Sequence, residues 1–341
     1  MIVGSIGRAN ITGLSTLLKS FYDNKIVQKV IIEIHPTDFN HVEWFSKDDI
    51  TLVGPNEKQE FRYAFQDKDR ERVKNFIKNI DVLLMFEIPF YWEIIDIAKS
   101  FNKKTVLVPM YECTPIPIDV DEFLCINELD YYIYTKAYPN KKVSFIRNPS
   151  NANISWKLRK TAKKFVHNAG YHYQSDRNGT LSLLNAIKFI KSPIELVIRS
   201  TKKIDVEIKD ERVKIIDEPG KFENLWDDGD VFVMPERHNA LCLPLEEAFA
   251  SGMLVMAGNR FPINSIFPKE PLIPVKEYRP AQLTSIIANE SFYDPQDIAR
   301  KIDDWYNKDI SFYSNLGKTW AENNSFIKLS PVYREFLERG L

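Results

Sequence analysis

Apolar and polar positions alternate along this chain in two rhythms. Short β-branched or aromatic runs are separated by amphipathic stretches of helical period. In the first half the runs at 2–6, 29–35, 82–87, 105–110, 131–135 and 143–146 read as strands, and 11–22, 70–80 and 90–101 read as helices. The second half repeats the plan, with strands expected at 165–167, 195–199, 213–216, 231–234 and 254–257. Helices are expected there at 181–191, 222–226, 244–251, 281–288 and 295–306. From Phe312 onward the pattern is helical with breaks, one of them near Ser330-Pro331. Strand–helix alternation of this kind favours parallel sheets covered on both faces. The turn formers around Asn148, Pro149 and Ser150 mark a junction. The division expected is a first domain over 1–150, a second over 151–315 and a terminal helical segment over 316–341.

The stretch from Asp230 to Gly258 carries the sharpest chemical signal. A buried strand ends near Met234, an irregular loop follows, Pro244 opens a short helix, Gly252 closes it, and a second strand begins at Leu254. Proline suits the start of a helix, where its missing N–H would have no partner, and glycine suits the position past the end. The loop thus brings backbone amides and the positive end of a helix to the carboxyl edge of a sheet, an arrangement that attracts phosphate. Glu247, expected in the first turn, can accept hydrogen bonds from hydroxyls in the same crevice. A phosphate beside a diol is a nucleotide or a sugar nucleotide.

The same residues carry a resemblance. Leu243-Pro244, Glu247-Ala248 and Ser251-Gly252 resemble the donor-binding motif of GT-B glycosyltransferases of the family 4 kind, in which two glutamates separated by seven residues flank a glycine-bearing loop. Asn239 stands at the first glutamate position, and Ala240 and Cys242 stand at the two loop glycines. A weaker likeness around His238 is to virus-like or phage-type members. The resemblance implies an α/β fold of GT-B architecture, with two doubly wound Rossmann-like domains facing a central cleft and a tail helix that crosses back to the first domain. It implies transfer of a hexose or pentose from a nucleoside-diphosphate sugar, with no cofactor and no bound metal, and no DxD-like metal motif is read in a suitable loop of the sequence. Glu247 would hold the ribose, and the amides of Asn239, Ala240, Leu241, Cys242 and Leu243 would hold the diphosphate and sugar.

Further candidates sit at strand ends. Arg177, in the first turn of the second domain, is expected to neutralise the leaving diphosphate, with Gly179 shaping that turn; the other use of Arg177 is as a solvated loop residue. Arg199 closes the next strand, facing nucleotide or solvent. Glu236, Arg237 and His238 precede the motif; Glu236 is a substitute for the glutamate missing at Asn239, and Arg237 or His238 is placed to touch phosphate. In the first domain, Gly7, Arg8 and Asn10 follow the opening strand and, by resemblance, flank the donor from the other side. Glu87 and Glu112 end parallel strands, where carboxylates face ligand crevices. Either can serve as the general base of an inverting enzyme or can cap the next helix. The resemblance leans slightly toward retention, which needs no such base.

Composition narrows the class. The 341 residues exceed one ordinary core, and 44% hydrophobic and 13% aromatic content supports two. A net charge of −1 offers no global attraction to nucleic acid or an anionic membrane. Locally, Lys157, Arg159, Lys160, Lys163 and Lys164 run together without an acidic residue and read as one face of a basic helix, either solvated or bound to a phosphate-bearing acceptor. The acceptor expected first is a glycan hydroxyl, and second a modified DNA base. Three scattered cysteines form neither a disulfide framework nor a zinc site. No basic leader and no membrane span is read in the sequence, so a cytoplasmic location is expected. The alternatives to transfer are a non-catalytic sugar-nucleotide-binding protein and a GT-B-like epimerase; a phosphorylase or dinucleotide oxidoreductase lacks its marker residues.

Overall fold

The computed structural model describes residues 1–341 except 11, 36–39, 56–63, 152, 171–175, 202, 207, 217–224, 240 and 284. The chain forms two compact units. The first comprises Met1–Asn148, Leu283–Ile286 and Phe326–Leu341; the second comprises Pro149–Gln282 and Ile287–Ser325.

The first unit holds a parallel sheet of β1 (Val3–Gly7), β2 (Lys29–Glu33), β3 (Ile50–Val53), β4 (Val82–Phe86), β5 (Lys104–Val108), β6 (Glu122–Cys125) and β7 (Lys142–Phe145). Their order is β3-β2-β1-β4-β5-β6-β7, every neighbour parallel. Helices α1 (Gly13–Asp23), α2 (Asp67–Lys78), α3 (Glu93–Ser100) and α4 (Glu128–Ala137) connect the strands. A strand covered on both faces needs an unbroken apolar run, and all five residues of β4 are buried.

The second unit repeats the scheme with β8 (Lys164–Gly170), β9 (Glu195–Ser200), β10 (Val213–Ile216), β11 (Val231–Met234) and β12 (Leu254–Ala257), in the order β10-β9-β8-β11-β12 and again parallel. Its helices are α5 (Thr180–Ala186), α6 (Leu243–Ala250), α7 (Ile263–Ile266), α8 (Pro295–Trp305) and α9 (Ser311–Asn323). A two-stranded ribbon of β13 (Glu277–Gln282) and β14 (Ile287–Phe292) completes it.

The last helix, α10 (Phe326–Glu338), belongs to the first unit. Phe21 of α1 meets the rings of Phe326 and Tyr333 edge-on at 5.8 and 5.1 Å, and Phe86 of β4 at 5.0 Å. The Tyr333 hydroxyl donates to the Arg147 carbonyl at 3.1 Å. Lys104 Nζ donates to the Arg339 carbonyl at 2.7 Å, a cation at a helix C-terminus where the dipole favours it.

Four expectations fail for identifiable reasons. Residues 131–135 lie inside α4, not in a strand. Asn127 caps that helix by accepting from the Asp130 N–H at 2.9 Å, and burial falls on Asp130 and Tyr134, four apart. Residues 281–282 and 287–288 fall in the β13–β14 ribbon instead of a helix, where the guanidinium groups of Arg237 and Arg279 each stand 4.2 Å from the centre of the Phe292 ring. The break in the tail falls at Asn324-Ser325, and Pro331 sits inside α10. Its missing N–H leaves the carbonyl of Ile327, a residue 88% exposed, which water can serve. Last, residues 154–163 form no helix, so the basic run has no helical face. Most of the helix expected at 222–226 lies outside the described residues.

Truncating Phe21 to Ala should cost about 3–5 kcal/mol, because its ring fills a site closed by α10 as well as the sheet. Urea denaturation would measure it, and a loss below about 1 kcal/mol would contradict the packing of α10 against Phe21.

Candidate functional site

In the second unit, β11 ends at Met234, and residues 235–239 and 241–242 form no regular structure before α6 starts. Polar backbone brought into an interior needs partners. They come from a buried ion pair. Glu236 is 0% exposed and Arg260, just beyond β12, is 4% exposed; Arg260 Nε lies 2.7 Å from Glu236 Oε1. Arg260 also donates to the Asn239 carbonyl at 3.3 Å, the Gly258 N–H donates to Glu236 Oε2 at 3.4 Å, and the Tyr293 hydroxyl donates to the Glu236 carbonyl at 2.8 Å. Burial pushes the Glu236 carboxyl upward while Arg260 opposes it. This glutamate supports the loop from within and does not replace the one missing at Asn239.

The loop's outer residues meet two other elements. Arg177 Nε donates to Asn239 Oδ1 at 2.9 Å and more weakly to the His238 carbonyl at 3.4 Å, while the Arg237 N–H donates to the Arg177 carbonyl at 2.8 Å. Arg177 and the motif loop, distant in sequence, are thus brought together. Gly179 explains why they fit. It begins α5 at φ +75°, and a Cβ there would lie 2.1 Å from the Pro235 carbonyl oxygen. From the ribbon, Glu290 reaches back to Arg237 at 2.6 Å and stands 3.0 Å from His238 Nδ1 without hydrogen-bond alignment. Burial first, and the Arg177 charge next, hold the His238 imidazolium down at about 4, so it is neutral at pH 7.

Helix α6 presents Leu243 and Pro244 as its first residues after Cys242. Buried Cys242 packs 3.9 Å from the sulfur of Met234. Leu241 is half-buried, and Ala240 lies outside the described residues. Glu247 is the fifth helical residue, hence second-turn and not first-turn; the acid of the first turn is Glu246. Glu247 is 7% exposed and accepts from Asn151 Nδ2 at 3.4 Å, and burial raises its carboxyl to about 8. The helix closes at Gly252, φ +91°, whose N–H donates to the Phe249 carbonyl at 3.0 Å.

Several of the remaining candidates have structural partners. Arg199 donates to the Leu225 carbonyl. Arg159 is 3% exposed and donates to the carbonyls of Gly229, Lys157, Ser251 and Trp226, so it is no surface cation. Lys164 pairs with Asp228 and Glu195. In the first unit, Gly7 ends β1 against Leu18, and Arg8 forks onto Glu33 at 2.9 and 3.3 Å. Asn10 accepts from the hydroxyls of Thr12 and Ser15 and so shapes the start of α1. Glu87 follows β4 at φ +64°, its carbonyl accepting from Thr114. Glu112 lies in the turn after β5, near enough to Asp130 to raise that fully buried acid; burial is the main cause and takes it to about 8. Among the described residues no three His, Cys, Asp or Glu gather as a metal site, and no helix is long and apolar enough to cross a membrane.

Arg260, Glu290, Tyr293 and Asn151 are not legible as site residues in the sequence. Only Arg260 carries a signal, as a cation just past a strand end. The others act through tertiary contacts that no local pattern encodes.

Two doubly wound parallel-sheet domains in one chain define the fold class of the GT-B glycosyltransferases. The chain is similar over nearly its whole length to solved structures of that class. A glycosyltransferase from Rickettsia africae ESF-5 is 14% identical, with 99% of each chain covered and a TM-score of 0.70. Anabaena HepE, solved with UDP and glucose, is 10% identical with 99% of each chain covered and a TM-score of 0.65. The pneumococcal O-GlcNAc transferase GtfA, solved with UDP and GlcNAc, is 8% identical, covering 99% of this chain and 98% of that one, with a TM-score of 0.63. No protein-family model and no curated protein matches the sequence.

Glu236→Gln alone should cost about 3–5 kcal/mol in chemical denaturation, because it leaves the Arg260 charge buried, whereas Glu236→Gln with Arg260→Met should recover much of that loss. His167 is fully buried between the Val233 carbonyl and the Thr180 hydroxyl, both at 2.8 Å, and burial depresses its imidazolium to about 4. The folded state disfavours the proton, so this contribution is whole above pH ~6.5 and is lost as pH falls toward 4, on the order of 3 kcal/mol. In His167→Gln that acid limb should flatten; an unchanged slope would assign the titration elsewhere.

Proposed function

We propose that the protein is a glycosyltransferase, of the family 4 kind, moving a sugar from a nucleoside diphosphate to an acceptor hydroxyl. The observation that carries this reading is the meeting of Arg177 with Asn239 in the loop that leads into α6, the helix that carries Glu247, in a fold of this class. In the reaction, the Leu243 N–H at the positive end of α6 and the Arg177 guanidinium stabilise the charge that develops on the departing diphosphate; one well-placed donor contributes ~3 kcal/mol of barrier lowering. Glu247, as carboxylate, accepts from the ribose hydroxyls. UDP is the first nucleotide to test, because HepE and GtfA were solved with it. Retention is slightly favoured over inversion, with Glu87 and Glu112 kept as base candidates for the latter. A glycan is the first acceptor and a DNA base the second, and the burial of Arg159 weakens the charge argument for DNA.

Saturating UDP, at about one hundred times its dissociation constant, should stabilise the wild type by ~2.7 kcal/mol in a thermal-shift measurement and leave Glu247→Ala unmoved. Because burial raises Glu247 to about 8, the wild-type affinity should strengthen as pH rises from 6.5 through 8 and then level off. A flat profile would remove the carboxylate from the ribose contact. Release of free sugar or transferred product by the wild type, lost in Arg177→Ala, would separate an enzyme from a binding protein.

A further inference from the structure

Asn239 is 5% exposed, and its two amide atoms have unequal fates. Oδ1 accepts from Arg177 Nε at 2.9 Å, which fixes the amide's orientation, since a guanidinium can only donate. Nδ2 is therefore the far atom, and among the described residues it has no hydrogen-bond partner. A buried donor without a partner is costly, and natural structures keep such groups where a ligand or water completes them. The Arg177 charge on Oδ1 also polarises the amide and makes Nδ2–H a stronger donor. Glu236 and Glu290 do not compete for it, being engaged with Arg260 and Arg237. Asp176, the acid next to Arg177 in sequence, accepts from the Leu181 N–H at 2.6 Å and the Ser182 hydroxyl at 3.0 Å instead.

We propose that Asn239 Nδ2 is a donor-sugar contact and that it selects a sugar bearing a carboxylate, as a hexuronic acid does, over the matching neutral hexose. This rests on the nucleotide-sugar reading above. There the diphosphate is assigned to the positive end of α6 and to Arg177, so the next group along the donor, the sugar, meets Asn239. A carboxylate is the acceptor a polarised donor favours most, because charge-assisted hydrogen bonds are about twice as strong as neutral ones.

Calorimetric titration of UDP, UDP-glucose, UDP-galactose, UDP-glucuronate and UDP-galacturonate into the wild type, Asn239→Ala and Asn239→Asp tests the proposal. The wild type should bind one of the uronates about tenfold more tightly than its neutral counterpart. Asn239→Ala should erase that preference and Asn239→Asp reverse it, read in each variant as the ratio of uronate to neutral-hexose affinity, so that a loss through Arg177 common to all the nucleotides cancels. An unchanged urea midpoint certifies folding. Equal wild-type binding of uronate and hexose would overturn the inference. A wild-type uronate-to-hexose ratio kept by Asn239→Ala would overturn it too, by removing Asn239 from the sugar. Failure of bare UDP to bind the wild type would remove the donor reading itself, and this inference with it.

Discussion

The second unit's site depends on one buried ion pair. Between β11 and α6 the chain leaves regular structure while still inside the protein, where each unmatched N–H or C=O is expensive. Glu236 and Arg260 resolve this by neutralising each other and then serving the neighbouring backbone: the carboxylate takes the Gly258 N–H, and the guanidinium takes the Asn239 carbonyl. Tyr293 completes the arrangement at the Glu236 carbonyl. A desolvated pair adds little net stability compared with apolar packing, but its directionality fixes backbone orientation. Loop residues 236–239 and the start of α6 inherit that orientation.

The electrostatics of the site differ from what charge counting implies. Arg237 stacks on Phe292 and pairs with Glu290, so its charge is satisfied by the ribbon. His238, buried and beside Arg177 as well as Glu290, is a neutral group. Glu247 is held as an acid at neutral pH by its burial. The run of five basic residues after the junction is similarly altered: Arg159 ties four carbonyls together inside the unit and Lys164 bridges two carboxylates.

What the sequence discloses follows from how each feature is encoded. Parallel strands such as β4 and β11 advertise themselves as uninterrupted apolar runs, and α6 is bracketed by Pro244 and Gly252, so the doubly wound plan and the motif are readable locally. Strand β3 is hard to read because part of it is solvent-facing, and β6 because its short run opens on the charged Glu122. Residues 131–135 have strand-like composition but a capped helix start at Asn127, and the cap prevails. The ribbon at 277–292 reads as a helix in part because its strand character comes from tertiary grips on Phe292 and Glu290. Arg177 and Gly179 are legible as a turn; their meeting with Asn239 and Pro235 is not, since nothing local in either segment names its partner.

The contact at Gly179 has a consequence for how such a site can diversify. With a Cβ excluded by the Pro235 carbonyl, the segment 176–179 and the loop after β11 are interlocked surfaces, each the mould of the other. A residue larger than glycine at 179 requires the Pro235 carbonyl to move with it. Variation in this region is confined to paired changes, and a graft between this scaffold and another of its fold class must carry both segments as a single block.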